Sequence, residues 1–234
     1  MSRLLSTAAT DIRLQRRNGF YYAVAFVVAV WAVVVWQLPD LDWGPWLAPL
    51  VFGNLVVATF YFMGGLVLLE KAEGTLEALV VTPLRVREYL GAKLLTLCVL
   101  SLAESVVLVT LAQGFDYSLS LLALGVLVTS VLYVLSGFLV VARYDSISEY
   151  LMPSVMWVTL LSLPFLVYVQ PGWGPWMLAH PMGGSLVLLR AGFEGISGGE
   201  LAVAIATSGA WMALLGWRSG KAFQRFVVRR EGVR

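Results

Sequence analysis

Apolar positions in this chain run on in long unbroken stretches and do not alternate with polar ones. A bilayer core about 30 Å thick is crossed by roughly 20 apolar residues of helix. Six stretches approach or exceed that length: 20–38, 46–69, 94–112, 119–142, 150–169 and 200–217. The pattern predicts an all-α polytopic membrane protein with six transmembrane helices. Continuous runs exclude barrel strands, which would alternate. The fifth run carries Pro153 and Pro164.

Two other segments have their own patterns. In residues 1–19, Leu4, Leu5, Ala8, Ala9 and Ile12 share one helical face, and Ser6, Thr10, Arg13 and Arg17 the other. That predicts an amphipathic helix lying in the interface. Between the fifth and sixth runs, the outer stretch 170–199 is rich in Gly and Pro, and its apolar pieces at 176–178 and 185–189 are too short to cross. They predict a re-entrant or interfacial segment, tolerated only where protein or water covers its backbone. Residues 70–93 remain as one polar loop, and 1–234 reads as a single transmembrane domain.

Composition agrees. The chain is 59% hydrophobic and 13% charged, with a mean hydropathy of +0.83. Soluble domains carry about a quarter charged residues, so a soluble enzyme and a disordered chain are excluded. The lone Cys98 allows no intrachain disulfide and no metal-ligand spacing, so no metal site is expected. The first apolar run ends at Trp36-Gln37-Leu38-Pro39, without the small-residue pattern of a cleaved signal.

The net charge of +2 hides an asymmetry. With six spans, 15 of the 16 basic residues fall on one side and only Arg190 on the other. By the positive-inside rule both termini are cytoplasmic. The side totals become +7 inside and −4 outside, with Glu104 between them.

The loop at 70–93 holds the most informative pattern: Glu-x-x-x-Gly-Thr-Leu-Glu-x-Leu-x-x-Thr-Pro-x-x-x-x-Glu-Tyr-Leu-x-x-Lys. Gly74 permits a corner, and Thr75 can cap a short helix starting at Leu76. That helix is expected to present Leu76, Leu79 and Val80, with Glu77 beside them. Thr82 can cap a second helix, with Pro83 at its first position. A six-residue helix is unstable alone in water, so it must pack on this chain's own helix ends or dock on a soluble partner.

The pattern resembles the ABC-2-type permease family of ABC exporters, and the layout of spans resembles it over nearly the whole chain. In that family the loop holds a coupling helix that docks on an ATP-binding subunit. The resemblance places the docking residues at Thr75 to Thr82, that is Thr75, Leu76, Glu77, Leu79, Val80 and Thr82 with Gly74 and Pro83, flanked by Glu73 and Arg85. It implies two permease subunits, homodimeric or homologous, with two ATP-binding subunits in the cytoplasmic membrane of a prokaryote. ATP and magnesium would sit in the partner. No Gly-x-x-x-x-Gly-Lys-Ser/Thr stretch occurs here to cradle phosphates. No catalytic residue, cofactor or nucleic-acid partner is expected of this chain.

Candidates for the translocation path follow from the same resemblance, which sets spans 2 and 5 of the two subunits face to face. Asn54, Ala58, Tyr61 and Gly65 share a face of span 2; Trp157, Pro164 and Tyr168 share one of span 5. Aromatic faces suit amphiphilic substrates; ordinary helix packing is the alternative. Glu104 lies mid-span, where a carboxylate is costly and is a functional candidate by default. It reads equally as a group on the path or as a neutral acid bonded to a neighbouring helix, with Ser101 and Ser105 as candidate partners. A stripe of Ala202, Ala206, Gly209 and Ala213 on span 6 predicts close helix packing. The two Trp-Gly-Pro-Trp copies at 43–46 and 173–176 predict interfacial anchors, and His180 a structural role.

Two rivals stand against the exporter. An intramembrane serine protease lacks its signature around Ser208 and a histidine within the membrane. A passive channel or scaffold would need no ATP-binding partner. The substrate is expected to be a small amphiphile or drug, with a lipid or glycan as the alternative.

Overall fold

The computed structural model describes residues 3–38, 42–76, 86–170, 172 and 174–228. Among these residues the chain is helical throughout its regular structure, with no strand. Helix α1 (Arg3–Arg17) leads through Gly19, at φ 80°, into α2 (Phe20–Gln37). Then follow α3 (Gly44–Leu55), a π-helical segment (Val56–Tyr61) and α4 (Phe62–Ala72), which form one continuous rod. Next come α5 (Val86–Gln113), α6 (Leu119–Val141) and α7 (Ile147–Leu161). A 3-10 turn (Leu163–Phe165) and the short α8 (Leu166–Val169) follow. The last elements are α9 (Gly174–Met177), α10 (Gly183–Glu194) and α11 (Gly198–Ala222), the last running on into a π-helical end (Phe223–Val228).

Among the described residues, five helices are long and apolar enough to cross a membrane: Phe20–Gln37, Gly44–Ala72, Val86–Gln113, Leu119–Val141 and Gly198–Arg225. This is an integral membrane protein built as a helical bundle. The fifth expected span differs. It breaks at Ser162, because Pro164 has no N–H to offer the Leu160 carbonyl and its ring crowds that oxygen. The half-buried His180 accepts the Met182 N–H at 3.2 Å through Nδ1. Burial pulls its imidazole below the ordinary value, against the pull of Leu160.

Helix α6 is the hub. It is apolar nearly all round, as suits a helix that is mostly buried. Its glycines set how close the neighbours come. A Cβ on Gly125 would lie 2.7 Å from the Leu189 backbone nitrogen in α10, and one on Gly137 would lie 2.8 Å from the Phe60 carbonyl in the π segment. Gly192 of α10 meets Leu122 of α6 in the same way. Helix α10 is 12 residues long, about 18 Å. It is too short to cross, and it is buried among α6, α11 and α3.

Two helices pack within the chain by faces that the sequence pattern did not mark. The small-residue stripe on the last helix does not pack within the chain. Ala202, Ala206 and Ala213 are exposed, and the packed face is Ala204, Ser208 and Ser219, with Ser208 against Gly184. In α1 the inward face is partly polar, and Leu5 and Ile12 of the face expected to lie in the interface stay on the outside. Ala8, Asp11 and Gln15 are buried. The polar pair turns inward because partners wait for it there.

Candidate functional site

Those partners form a buried ionic cluster at the end of the bundle where the 70–93 loop is rooted. Lys93 of α5 is completely enclosed. Its Nζ donates to Glu70 Oε1 of α4 at 2.6 Å and to Asp11 Oδ1 of α1 at 3.1 Å. Tyr89 Oη donates to Glu70 Oε2 at 2.6 Å, and its ring lies 4.8 Å below the Lys93 ammonium. Phe223 of the last helix closes over Tyr89 with ring centroids 5.1 Å apart. One turn further along α1, Gln15 Nε2 donates to Thr96 Oγ1 at 3.0 Å. One cation faces two carboxylates here. Burial pushes the Asp11 carboxyl above its ordinary range, Glu70 adds to the rise, and Lys93 opposes it. The rise moves the cluster toward neutrality, as an enclosed site requires.

A second set of bonds ties the same end together. Lys71 Nζ donates to the Tyr144 carbonyl at 2.6 Å and the Ala142 carbonyl at 3.3 Å, and pairs with Asp145 at 3.2 Å. A cation from α4 therefore caps the C-terminus of α6, where open carbonyls and the helix dipole favour positive charge. Arg17 pairs with Glu73 on the surface. The loop's first corner is at Gly74, whose φ of 66° strains any residue with a Cβ.

The loop's predicted residues divide. The N–H groups that Thr75 was expected to cap lie outside the described residues. The Thr75 hydroxyl donates to the Glu70 carbonyl at 3.0 Å, closing the end of α4. Leu76 is not presented outward; it is buried in the chain's own core and anchors the loop. Glu77, Leu79, Val80, Thr82, Pro83 and Arg85 lie outside the described residues. Among the described residues of the motif, Glu70, Tyr89 and Lys93 meet in space, and their roles were missed from the sequence. The readable signal was acidic and basic residues at the two roots of one loop, and an Asp11/Gln15 pair one turn apart on α1.

The path candidates are brought together only in part. Asn54 Nδ2 donates to Glu104 Oε1 at 2.7 Å, joining α3 to α5 at mid-span. Glu104 Oε2 is buried without a partner. Ser101 instead bonds Ser130 of α6 at 2.8 Å. Ala58 is buried; Tyr61 is half-buried and sets its ring 6.4 Å from that of Tyr150. Gly65 packs on Phe20 of α2. The four residues of the expected stripe thus fan toward different neighbours, because the π segment adds residues per turn and rotates the face partway along. Trp157 does stand on an open apolar face of α7, beside Met152, Val155, Met156 and Leu160. Tyr168 belongs to α8, and its side chain lies outside the described residues.

Comparison with known proteins supplies the family. The profile of the fluoroquinolones export permease protein family matches residues 2–231. Two fluoroquinolones export permease proteins of Mycobacterium tuberculosis, from strains CDC 1551 / Oshkosh and ATCC 25618 / H37Rv, are each 33% identical to the chain over 237 residues. Each match covers 100% of both chains. A full-length match on a helical membrane bundle agrees with the resemblance to ABC-2-type permeases, and the chain belongs to the fluoroquinolones export permease family.

Proposed function

We propose that this chain is the membrane-spanning half of an ATP-driven exporter, and that its substrates are small amphiphilic drugs of the fluoroquinolone kind. Two copies would form the path, and two separate ATP-binding subunits would supply ATP, magnesium and hydrolysis. The broken helix from Ile147 to Val169 would complete six crossings, with 170–199 as a re-entrant outer segment. Both termini would then face the cytoplasm of a prokaryotic cell.

The observation that carries the coupling role is the Asp11–Lys93–Glu70 cluster. It ties together both roots of the 70–93 loop and the N-terminal helix. Force applied to the loop by a closing ATPase would pass through Glu70 into α4 and through Lys93 into α5. The π segment and the Asn54–Glu104 bond then stand on the same two helices at mid-span. The docking residues in this reading are those from Glu77 to Arg85. Glu73 and Gly74 shape the approach, and Leu76 holds the loop to the bundle.

The test is co-purification with the ATP-binding subunit. Changing Leu79 and Val80 to Asp should abolish it and remove substrate-stimulated ATP hydrolysis, with the permease still monodisperse. A chain that purifies without an ATPase and moves substrate down its gradient without ATP would instead be a channel.

A further inference from the structure

We infer that a cavity at the end of the bundle opposite the ionic cluster is a second binding site, for a drug-sized amphiphile carrying both a carboxylate and an amine. The inference rests on reading the chain as an exporter of amphiphiles and adds where such a molecule is held on its way out. The cavity measures about 730 Å³. Sites for small organic ligands run from about 300 to 1,000 Å³ and are apolar with a few placed polar groups. This one fits both criteria. Pro164, Leu186 and Val203 contribute to its apolar wall, and Arg190, Glu194 and Glu200 are the charged groups in its lining.

The charges are arranged for a ligand with two signs. Arg190 is the one basic residue in the outer stretch 170–199. Glu194 takes its Nε at 3.0 Å, one turn along α10. Both side chains of that pair are about half exposed, so the pair is weak. A ligand carboxylate can therefore share the guanidinium at little cost, with the planar fork suited to two oxygens. Glu194, once relieved of part of its partner, faces the ligand's amine.

The acidic side is also fixed in place. Glu200 is held by a reciprocal cap at the start of α11, with Ser197 Oγ donating to it at 2.9 Å. The floor is equally firm, since Gly183 and Gly184 of α10 pack directly on the Met177 carbonyl and on Ser208. A pre-formed site holds a ligand without first being ordered. The volume and the two signs of charge in the lining fit one compact amphiphile that carries both signs.

The experiment measures equilibrium binding of ciprofloxacin, and of its carboxyl ester, to the full-length permease in nanodiscs without the ATPase. ATP-driven efflux by the complete complex is measured separately. Ciprofloxacin should bind the wild type at least tenfold more tightly than its ester. Arg190→Gln should remove that preference, and Arg190→Lys should restore part of it. Val203→Trp narrows the cavity from an exposed position that the core does not depend on; it should weaken both ligands. Equal binding of ciprofloxacin by wild type, Arg190→Gln and Val203→Trp overturns the site. So does displacement of ciprofloxacin by stoichiometric phosphatidylglycerol, which would make the cavity a lipid seat. If binding fails while efflux of the complex persists, the cavity assignment falls and the exporter reading stands.

Discussion

Lys93 holds one positive charge between two buried carboxylates, so Lys93→Met leaves Glu70 and Asp11 enclosed without a counter-ion. Breaking a buried pair in this way costs about 3–5 kcal/mol. The expected result is a large drop in melting temperature of the detergent-purified protein. Asp11 gives a prediction in pH. Its carboxyl is raised by burial and by Glu70 against Lys93, so the folded chain holds that proton more tightly than the unfolded one. The associated stability is complete below the ordinary aspartate value, about 3.9, and is lost as pH rises through the folded value. Asp11→Asn should flatten this decline when melting is followed from acidic to neutral pH. Glu104 bonds Asn54 and is not among the residues that line the cavity at Arg190. Glu104→Gln keeps the shape and an acceptor, and export by the complete complex should be unchanged across pH. A pH-dependent loss would put the carboxyl on the path.

Among the elements, glycine position separates packed seams from open faces. Gly125 lies where a Cβ would press on the α10 backbone at Leu188 and Leu189. Gly125→Ala should destabilise by about 1–3 kcal/mol through overpacking. Gly209 has nothing within 4 Å of the same construction. Gly209→Ala should be neutral, or stabilising by up to about 1 kcal/mol from helix propensity. Thermal melting of the two variants side by side checks both. The pair also shows how the sequence misled at this scale. A stripe of small residues marks a helix that can be approached closely, but it does not say from which side. Ala204 and Ser208 became the packed face because Gly184 of α10 leaves room for them.

For the whole molecule, burial is very uneven. The best apolar window of α2 is 0% buried and that of α11 is 11% buried, against 72% for α6. Helix α6 is a protein core, whereas α2 and the outer side of α11 are faces for lipid or for a second copy. The proposed orientation can be read directly. Arg143 and Gly172 are both exposed and lie beyond opposite ends of the broken helix. Cysteines placed there should react differently with a membrane-impermeant maleimide in intact cells. Gly172→Cys should label at once and Arg143→Cys only after lysis. Native Cys98 is buried and should give little background. The reverse pattern would invert the topology.

The sequence by itself determined that this is a helical membrane protein, roughly where its helices run, and which loop is unlike the rest. Those properties depend on local quantities: the apolar length needed to cross a bilayer, and the freedom of Gly74 to take a positive φ. Tertiary structure alone decided which helix faces meet. Lys93 could be read as a basic flank of a span, but its two carboxylates come from residues 11 and 70, and no local pattern fixes that meeting. The π segment made the stripe from Asn54 to Gly65 illegible for a related reason: a face read at 3.6 residues per turn is lost once the helix winds differently. The outer cavity likewise exists only where α10, α11 and the turn at Pro164 come together, because charge complementarity and enclosed volume are properties of elements far apart in the chain.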